Sequence, residues 1–262
     1  MIRSLWSGAT GMIAQQTNLD VISNNLANVN TSGYKKMRAD FEDLLYQIDR
    51  EPGAPVEPDS MLPTGIQVGL GTRVVGTNRL MGPGNIQITS NPLDVAIEGD
   101  GFFQVTMPDG TIAYTRDGSW KIDADGQIIT SNGYLLEPEI VIPEDAIEVI
   151  ISPTGVVSVR LPNQVALDEI GQIELARFVN PAGLMAIGKN LFLETEASGE
   201  PILNNPGEEG MGTLLQGALE MANVQVVEEM VNMIIAQRAY EANSKTIQTA
   251  DELLRIANNL RR

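Results

Sequence analysis

The chain of 262 residues contains neither cysteine nor histidine. Without cysteine, it can form no disulfide framework, thiolate nucleophile or zinc–cysteine site. Without histidine, it also lacks the commonest general base and the commonest metal ligand, and with them the usual serine and cysteine triads. We therefore expect a protein that is not an enzyme, with no catalytic residue, no cofactor and no metal.

Basic residues are scarce: 17 Lys and Arg stand against 34 Asp and Glu, which gives a net charge of −17. The imbalance lies in residues 46–210, with 24 acidic and 8 basic side chains, whereas residues 1–45 are neutral and residues 211–262 carry −1. A nucleic-acid partner would require a basic stripe, so none is expected. The near-neutral ends are free to approach copies of themselves, and the acidic middle is typical of a solvated surface.

Long apolar runs are missing as well. No run of about 20 apolar residues is available to cross a membrane. The first residues lack the basic start and continuous apolar run of a secretory signal peptide. We expect neither membrane insertion nor a cleaved signal.

Two proline-free segments, residues 2–28 and 219–260, predict helices at the two ends. The first has apolar residues seven apart, and the second has two neighbouring apolar rows, wider than a two-stranded coiled-coil seam. Gly8 costs about 1 kcal/mol inside a helix, which suggests a close helix–helix approach. The residues expected at a self-assembly interface are Leu5, Met12, Leu19, Leu26, Val29, Val226, Met230, Met233, Tyr240, Ile247, Leu253, Leu254, Ile256 and Leu260. On pattern alone, two interpretations stay open: helices packed on a core within one subunit, or ends that pair with each other and with other copies.

Between the helices the composition changes twice. Residues 47–67 contain Pro52, Pro55, Pro58 and Pro63, a spacing that favours an extended chain, either as a free linker or lying along a neighbouring surface. Residues 68–210 alternate short apolar runs with tight-turn signals, including hairpins at Asp117-Gly118, Asp125-Gly126 and Asn132-Gly133. We predict an α+β fold: terminal helices paired as a coiled-coil-like layer, and a central, mainly antiparallel β domain as a sandwich or open barrel. The predicted segments are residues 1–46, 47–67, 68–210 and 211–262.

Candidates for chemistry are weak. The sequence from Asp123 to Gly126 resembles part of a calcium loop but lacks the remaining ligands. Four carboxylates, Glu98, Asp100, Asp109 and Asp117, could supply a pair for sugar hydrolysis. Each of them adjoins a glycine in a turn, where acidic residues are expected for backbone reasons alone.

Three motifs, one N-terminal, one central and one C-terminal, give the chain a family resemblance. They are SNNLANVNTSGYK at residues 23–35, NPLDVAIEGDGFF at 91–103 with YTRDG at 114–118, and EMANV at 220–224 with AQRAYEANSK at 236–245. In this order they closely resemble the signatures of the bacterial flagellar rod and hook protein family. The opening residues 1–6 and FEDLLY at 41–46, followed by the proline-rich stretch, are most similar to its distal-rod branch.

The resemblance implies a structural subunit that is exported through the flagellum's own type III channel and polymerises helically. It implies that the terminal helices form an inner tube around the export channel, and that the stretch with Pro52, Pro55, Pro58 and Pro63 braces neighbouring subunits. The polymer would be the straight distal rod of the basal body, spanning the periplasm where an outer membrane exists. The implied partners are other rod proteins, the hook protein, the ring (bushing) proteins and the export apparatus.

Other functions remain open at this point. The chain could be another axial protein of the same family, or a surface adhesin or binding module with an acidic β domain. A carboxylate glycosidase is a third possibility.

Overall fold

The computed structural model describes residues 2–52, 55–57, 60–61, 63–162 and 166–259. It shows terminal helices and antiparallel strands between them, which confirms the α+β class. The chain divides into two compact units. Unit 1 comprises residues 1–26, 37–78 and 225–262, and unit 2 comprises residues 27–36 and 79–224.

Unit 1 contains both long helices, α1 (Ile2–Ala27) and α2 (Val226–Asn259). The prediction that the second helix starts near residue 219 was wrong. Residues 213–216 and 218–220 form strands, because their backbone groups pair with residues 95–98 and 86–88. Such long-range pairing outweighs the helix propensity of the segment, because tertiary context routinely overrides propensity. Glu228 and Glu229 occupy the first turn of α2, where the positive end of the helix dipole stabilises negative charge.

Unit 1 also holds a ribbon of antiparallel strands, which includes the stretch that the sequence predicted as an extended chain. Its strands are β1 (Met37–Asp43), β2 (Tyr46–Arg50), β3 (Pro55–Glu57), β4 (Ser60–Met61), β5 (Ile66–Gly69) and β6 (Thr72–Arg79). β1 pairs with β6, β2 with β5 and β3 with β4, so the proline-rich stretch folds back on itself as a hairpin. Residues 68–78 thus group with the helices, and the β domain does not begin at residue 68.

Unit 2 is the β domain. Its strands are β7 (Ile86–Ile88), β8 (Val95–Glu98), β9 (Phe102–Thr106), β10 (Ile112–Thr115), β11 (Lys121–Ile122), β12 (Ile128–Ile129), β13 (Leu135–Glu137), β14 (Glu148–Ile151), β15 (Val156–Arg160), β16 (Asp168–Gln172), β17 (Leu175–Arg177), β18 (Met185–Gly188), β19 (Leu191–Leu193), β20 (Ile202–Asn204), β21 (Thr213–Gln216) and β22 (Ala218–Glu220), with a 3-10 turn at Pro181–Gly183. A nine-stranded sheet runs β11-β12-β13-β9-β10-β19-β18, with β17 and β20 joined to it through β9. β14, β15 and β16 form a second sheet, and β8 pairs with β21 and β7 with β22.

Strand β9 separates the two larger hydrophobic clusters of unit 2, because alternate side chains of a strand point to opposite faces. Phe103 and Val105 join the larger cluster, whose Trp120 packs edge-on against Phe103 with ring centroids 5.2 Å apart. Phe102 joins the smaller cluster with Phe178.

Most predicted tight turns of unit 2 are confirmed. Asp125-Gly126 joins β11 to β12, and Asn132-Gly133 joins β12 to β13. The hairpin predicted at Asp117-Gly118 was wrong, because β10 pairs with β9 and β19 and not with the strand that follows it. Gly118 instead lies against strand β8, where a Cβ would overlap the carbonyl oxygen of Val95.

Candidate functional site

The two terminal helices pack against each other antiparallel within unit 1. A Cβ on Gly8 would lie 2.9 Å from Ile247, and a Cβ on Gly11 would lie 2.8 Å from the Asn243 side chain. At the other end of α1, the buried Asn25 amide donates a hydrogen bond of 3.2 Å to Glu229. The expected close approach at Gly8 is therefore confirmed, because a glycine there lets the helices come together without a side chain between them.

Each helix also carries an apolar surface that the other helix does not cover. On α2 this outer patch consists of Val227, Met230, Val231, Ile234 and Ile235, of which Val227 is 75% and Ile235 61% exposed. On α1 it is formed by Trp6 and Ile13, 64% and 65% exposed. We call these surfaces the α2 outer patch and the α1 outer patch.

The outer patches point away from the helix pair. Trp6 lies two residues from Gly8 and Ile13 two residues from Gly11, which places each roughly 200° around α1 from the side that meets α2. By the same geometry, Val231 lies opposite Glu229 and Ile234 lies opposite the buried Ala236. After pairing, both helices thus present apolar side chains to solvent.

The predicted interface residues divide between these two roles. Ile247 faces α1, whereas Val226, Met230, Tyr240, Leu253 and Ile256 are exposed. The others that the structure describes, namely Leu5, Met12, Leu19, Leu26, Val29, Met233 and Leu254, are partly buried. Leu260 lies outside the described residues. The predicted interface set omitted Val227, Val231, Ile234 and Ile235 of the α2 outer patch and both residues of the α1 outer patch. On α2, the apolar residues at 226–235 surround more than half of the helix, which is wider than two rows.

In unit 2, residues from all three family motifs meet at three buried charges, Lys35, Arg116 and Glu220, with Gly33 and Asn223 beside them. We call these five residues the motif junction. Lys35 Nζ lies 2.6 Å from Glu220 Oε1, and Arg116 Nε lies 2.9 Å from Glu220 Oε2. The second contact is an ion pair without hydrogen-bond alignment. All three side chains are at most 3% exposed. One carboxylate therefore faces two cations away from water.

Backbone atoms supply further hydrogen bonds at the junction. Lys35 donates to the Gly82 carbonyl, and Arg116 donates to the Gly99 and Gly101 carbonyls at 2.8 and 2.6 Å. Glu220 also accepts from the Gly84 N–H at 2.7 Å.

Burial lowers the pKa of the Lys35 ammonium below its ordinary value, and the neighbouring Arg116 charge lowers it further while Glu220 opposes the shift.

Hydrogen bonds at the junction also fasten the segment that follows α1 to the segment that precedes α2. The Gly33 N–H donates to the Glu220 carbonyl at 2.8 Å, and the Lys36 N–H donates to the Asn223 side chain at 2.6 Å. Gly33 has φ of +67°, and a Cβ there would lie 2.6 Å from the backbone of Arg116. Position 33 in the N-terminal motif therefore requires glycine, because its φ is positive and there is no room for a Cβ.

Family models match the chain in three segments. Residues 5–35 match the flagella basal body rod protein model. Residues 96–159 match the flagellar hook protein FlgE/F/G D1 domain, and residues 215–260 match the flagellar basal body rod FlgEFG protein C-terminal model.

Curated relatives match along the whole length. The chain is 55% identical over 264 residues to the flagellar basal-body rod protein FlgG of Borreliella burgdorferi, covering 100% of both chains. It is 52% identical to FlgG of Buchnera aphidicola subsp. Schizaphis graminum, covering 99% of this chain and 100% of the relative, and 40% identical to FlgG of Bacillus subtilis, covering 100% of both. The chain belongs to the flagellar basal-body rod protein family. It is a structural subunit of the flagellar distal rod, and its location is the flagellar basal body.

Strand β2 in the hairpin of this rod protein is exposed on both faces. Every residue of β2 is exposed, including Tyr46 and Ile48, and Ile66 opposite is exposed as well. Arg3 of α1 forms an ion pair with Asp49 at 3.0 Å, and the Arg3 hydrogen bond holds the pKa of that carboxyl below its usual range. Pro52 lies in the turn after β2, Pro55 begins β3 and Pro63 lies in a bend before β5, whereas Pro58 is outside the described residues.

Three of the acidic residues considered for chemistry, Asp109, Asp117 and Asp123, form hydrogen bonds within turns of the rod protein. Asp109 accepts two hydrogen bonds from Thr111, which lower its pKa, and Asp117 accepts from Ser32 and from the Ser119 N–H. Asp123 caps the turn to Gly126. Across the described ranges, no three acidic side chains converge as a metal site. In the same part of the chain, no helix combines the length and apolarity needed to cross a membrane.

Proposed function

We propose that this rod protein self-assembles helically into a straight drive shaft, with the terminal helices as an inner layer around an export channel. The observation that carries the proposal is the pair of outer patches, which remain exposed after α1 and α2 have packed together. A row of exposed large apolar side chains is a liability in a soluble monomer and typical of a protein interface. The partners proposed beyond the chain itself are other rod proteins, the hook protein, the ring proteins and the export apparatus.

Charge supports contact through the helices. Residues 46–210 carry a net charge of −16, whereas residues 1–45 and 211–262 together carry −1. Copies that approached each other through their acidic segments would repel, because like charges meeting at an interface are unfavourable. The near-neutral helical ends escape this penalty.

The hairpin supports a bracing role. An isolated two-stranded hairpin is at best marginally stable in water. β2 is exposed along its whole length, and its apolar residues lack a covering layer among the described residues of unit 1. A neighbouring subunit that covered Tyr46, Ile48 and Ile66 would stabilise the hairpin and stiffen the polymer.

The proposal is tested by placing charge on the α2 outer patch. In a Val231→Asp, Ile234→Asp variant we expect the folded subunit to survive, because both side chains are at least half exposed, and polymerisation to be lost. Each of the two apolar side chains would contribute about 1 kcal/mol on burial, and an aspartate in the same place adds a desolvation cost. The measurements are circular dichroism for folding, with sedimentation and electron microscopy at high protein concentration for assembly.

Gln248→Asp is the matched control, since it adds an aspartate at an exposed position of the same helix beyond the patch. The control should polymerise as the parent does. Polymers of normal length from the double variant would refute the proposal.

A further inference from the structure

The two outer patches lie on opposite sides of the helix pair and at different levels along it. Gly8 and Gly11 of α1 meet Ile247 and Asn243 of α2, so the α1 outer patch lies at the level of residue 245 or so. The α2 outer patch, from Val227 to Ile235, is centred some 14 residues nearer the start of α2. At 1.5 Å per residue, the two patches are offset by about 20 Å along the helix axis.

We infer that the α1 outer patch of one copy docks on the α2 outer patch of the next, with a stagger of about 20 Å. This inference rests on the proposed polymerisation and adds to it which faces meet and in which register. Trp6 of one copy then lies opposite Ile234 and Ile235 of its neighbour, and Ile13 lies opposite Val227. In the unstaggered arrangement, Ile13 would lie opposite Glu241.

A second copy of this chain is the occupant for two reasons. The α1 outer patch has only two large exposed side chains, an indole and an isoleucine, whereas the α2 outer patch is a continuous surface of five. Two copies of the α2 patch facing each other would leave Trp6 and Ile13 uncovered in both. A heterologous contact covers both patches and leaves a free patch at each end, so the assembly grows without closing.

The polar residues beyond each patch favour the stagger. After Ile13, the outer side of α1 continues with Gln16, Asp20 and Asn24, and after Ile235 the outer side of α2 continues with Arg238 and Glu241. In the unstaggered register, Trp6 and Ile13 would lie against the charged part of α2. Of these two registers, only the staggered one places apolar side chains against apolar side chains.

Cysteine cross-linking tests the register, because the chain has no cysteine of its own. A chain with Ile13→Cys is mixed with a tagged, longer chain carrying Val227→Cys, allowed to polymerise and oxidised. We expect disulfide-linked mixed dimers, since a disulfide needs Cα atoms within about 7 Å. The matched control pairs Ile13→Cys with Glu241→Cys, an exposed position on the same side of α2, and should give at least about ten-fold less.

Several outcomes overturn the inference. Mixed dimers formed mainly with Glu241→Cys would show the unstaggered register, and dimers between two Ile13→Cys chains would show an isologous contact. Polymers that give no cross-link refute the docking while the proposed function stands. Failure of the unmodified chain to polymerise refutes both.

A charge exchange gives a second measurement. Ile13→Glu alone and Val227→Lys alone should each abolish polymers, and the two together in one chain should restore them. The pair Ile13→Glu with Glu241→Lys should not. Restoration by the second pair and not by the first contradicts the stagger.

Discussion

The strongest test of unit 2 is the removal of the single negative charge from the motif junction by Glu220→Gln. The glutamine keeps the shape of the side chain and an oxygen that can accept from the Gly84 N–H. It removes the carboxylate that forms ion pairs with both Lys35 and Arg116, whose side chains are at most 3% exposed. Only the more distant charge of Asp100 still favours the protonated form of Lys35.

The magnitude follows from the burial of these charges. Breaking a buried ion pair by removing one partner costs about 3–5 kcal/mol, because the remaining charge is left uncompensated. A whole domain is stable by only about 5–15 kcal/mol. For a chain of this size we therefore expect the melting temperature to fall by about 6–20 °C.

The pH dependence identifies which charge is responsible. Burial already lowers the pKa of Lys35, and loss of the Glu220 carboxylate lowers it further. Where the folded pKa is lower than the unfolded one, the unfolded chain binds more protons, so stability rises with pH between the lowered value and the ordinary lysine value of 10.5. The parent gains stability in the same way above its own, less lowered Lys35 pKa, so the deficit of the variant should shrink, by up to about 1.4 kcal/mol per pH unit, between the two folded-state pKa values.

The assay is denaturant unfolding at pH 7 and pH 9, followed by the fluorescence of the buried Trp120 in a Trp6→Phe background. The control is Glu148→Gln, which breaks the half-exposed ion pair with Arg160 and should cost at most about 1 kcal/mol. If Glu220→Gln cost no more than this control at either pH, the two cations would not depend on Glu220.

Three further predictions concern other parts of the chain. Gly118→Ala should destabilise unit 2 by at least about 2 kcal/mol in the same assay, because its Cβ would overlap a backbone carbonyl, whereas Gly82→Ala meets open space and should be near neutral. Asn25→Leu should cost on the order of 3 kcal/mol in thermal unfolding, because it removes hydrogen bonds to both backbone groups of Met37 and to a buried carboxylate. Substitution of Gln16, exposed on the same helix, by Leu should cost far less. Deleting residues 52–63 should give polymers that form but bend, and an unchanged persistence length in electron micrographs would count against bracing.

The parts of the fold that depend on local pattern were predictable from the sequence. Both terminal helices follow from apolar periodicity in proline-free segments, and the hairpins at Asp125-Gly126 and Asn132-Gly133 follow from residues that accept positive φ. The close approach at Gly8 was also readable, since a glycine inside a helix needs a packing reason.

The parts that depend on distant pairing were not predictable. Residues 213–220 have a composition compatible with helix, and only their ladders with β8 and β7 make them strands. The same holds for β1, whose partner β6 begins 35 residues after the start of β1. Strand pairing over such distances leaves no periodic mark that separates it from a short amphipathic helix.

The motif junction could not be predicted either, although its residues belong to the three family motifs. Lys35 and Glu220 are 185 residues apart, and Arg116 and Glu220 are 104 apart. No residue spacing within a motif indicates that one carboxylate forms ion pairs with two cations. Only the folded β domain brings Lys35 Nζ and Arg116 Nε within 3 Å of the Glu220 carboxylate.

Stability alone does not account for a junction of this kind. Three charges taken out of water lose hydration that their mutual attraction repays only in part, and apolar residues of similar volume would often be as stable. Apolar residues would not supply directional hydrogen bonds to the neighbouring backbone segments. Lys35 bonds the Gly82 carbonyl, Arg116 bonds the Gly99 and Gly101 carbonyls, and Glu220 bonds the Gly84 N–H, so each charge fixes one neighbouring backbone segment. A slip of one residue in strand β22 would turn Glu220 to the opposite face of the strand and leave both cations unpaired. The junction therefore fixes the register of the last strand before α2, the point from which α2 and its outer patch extend.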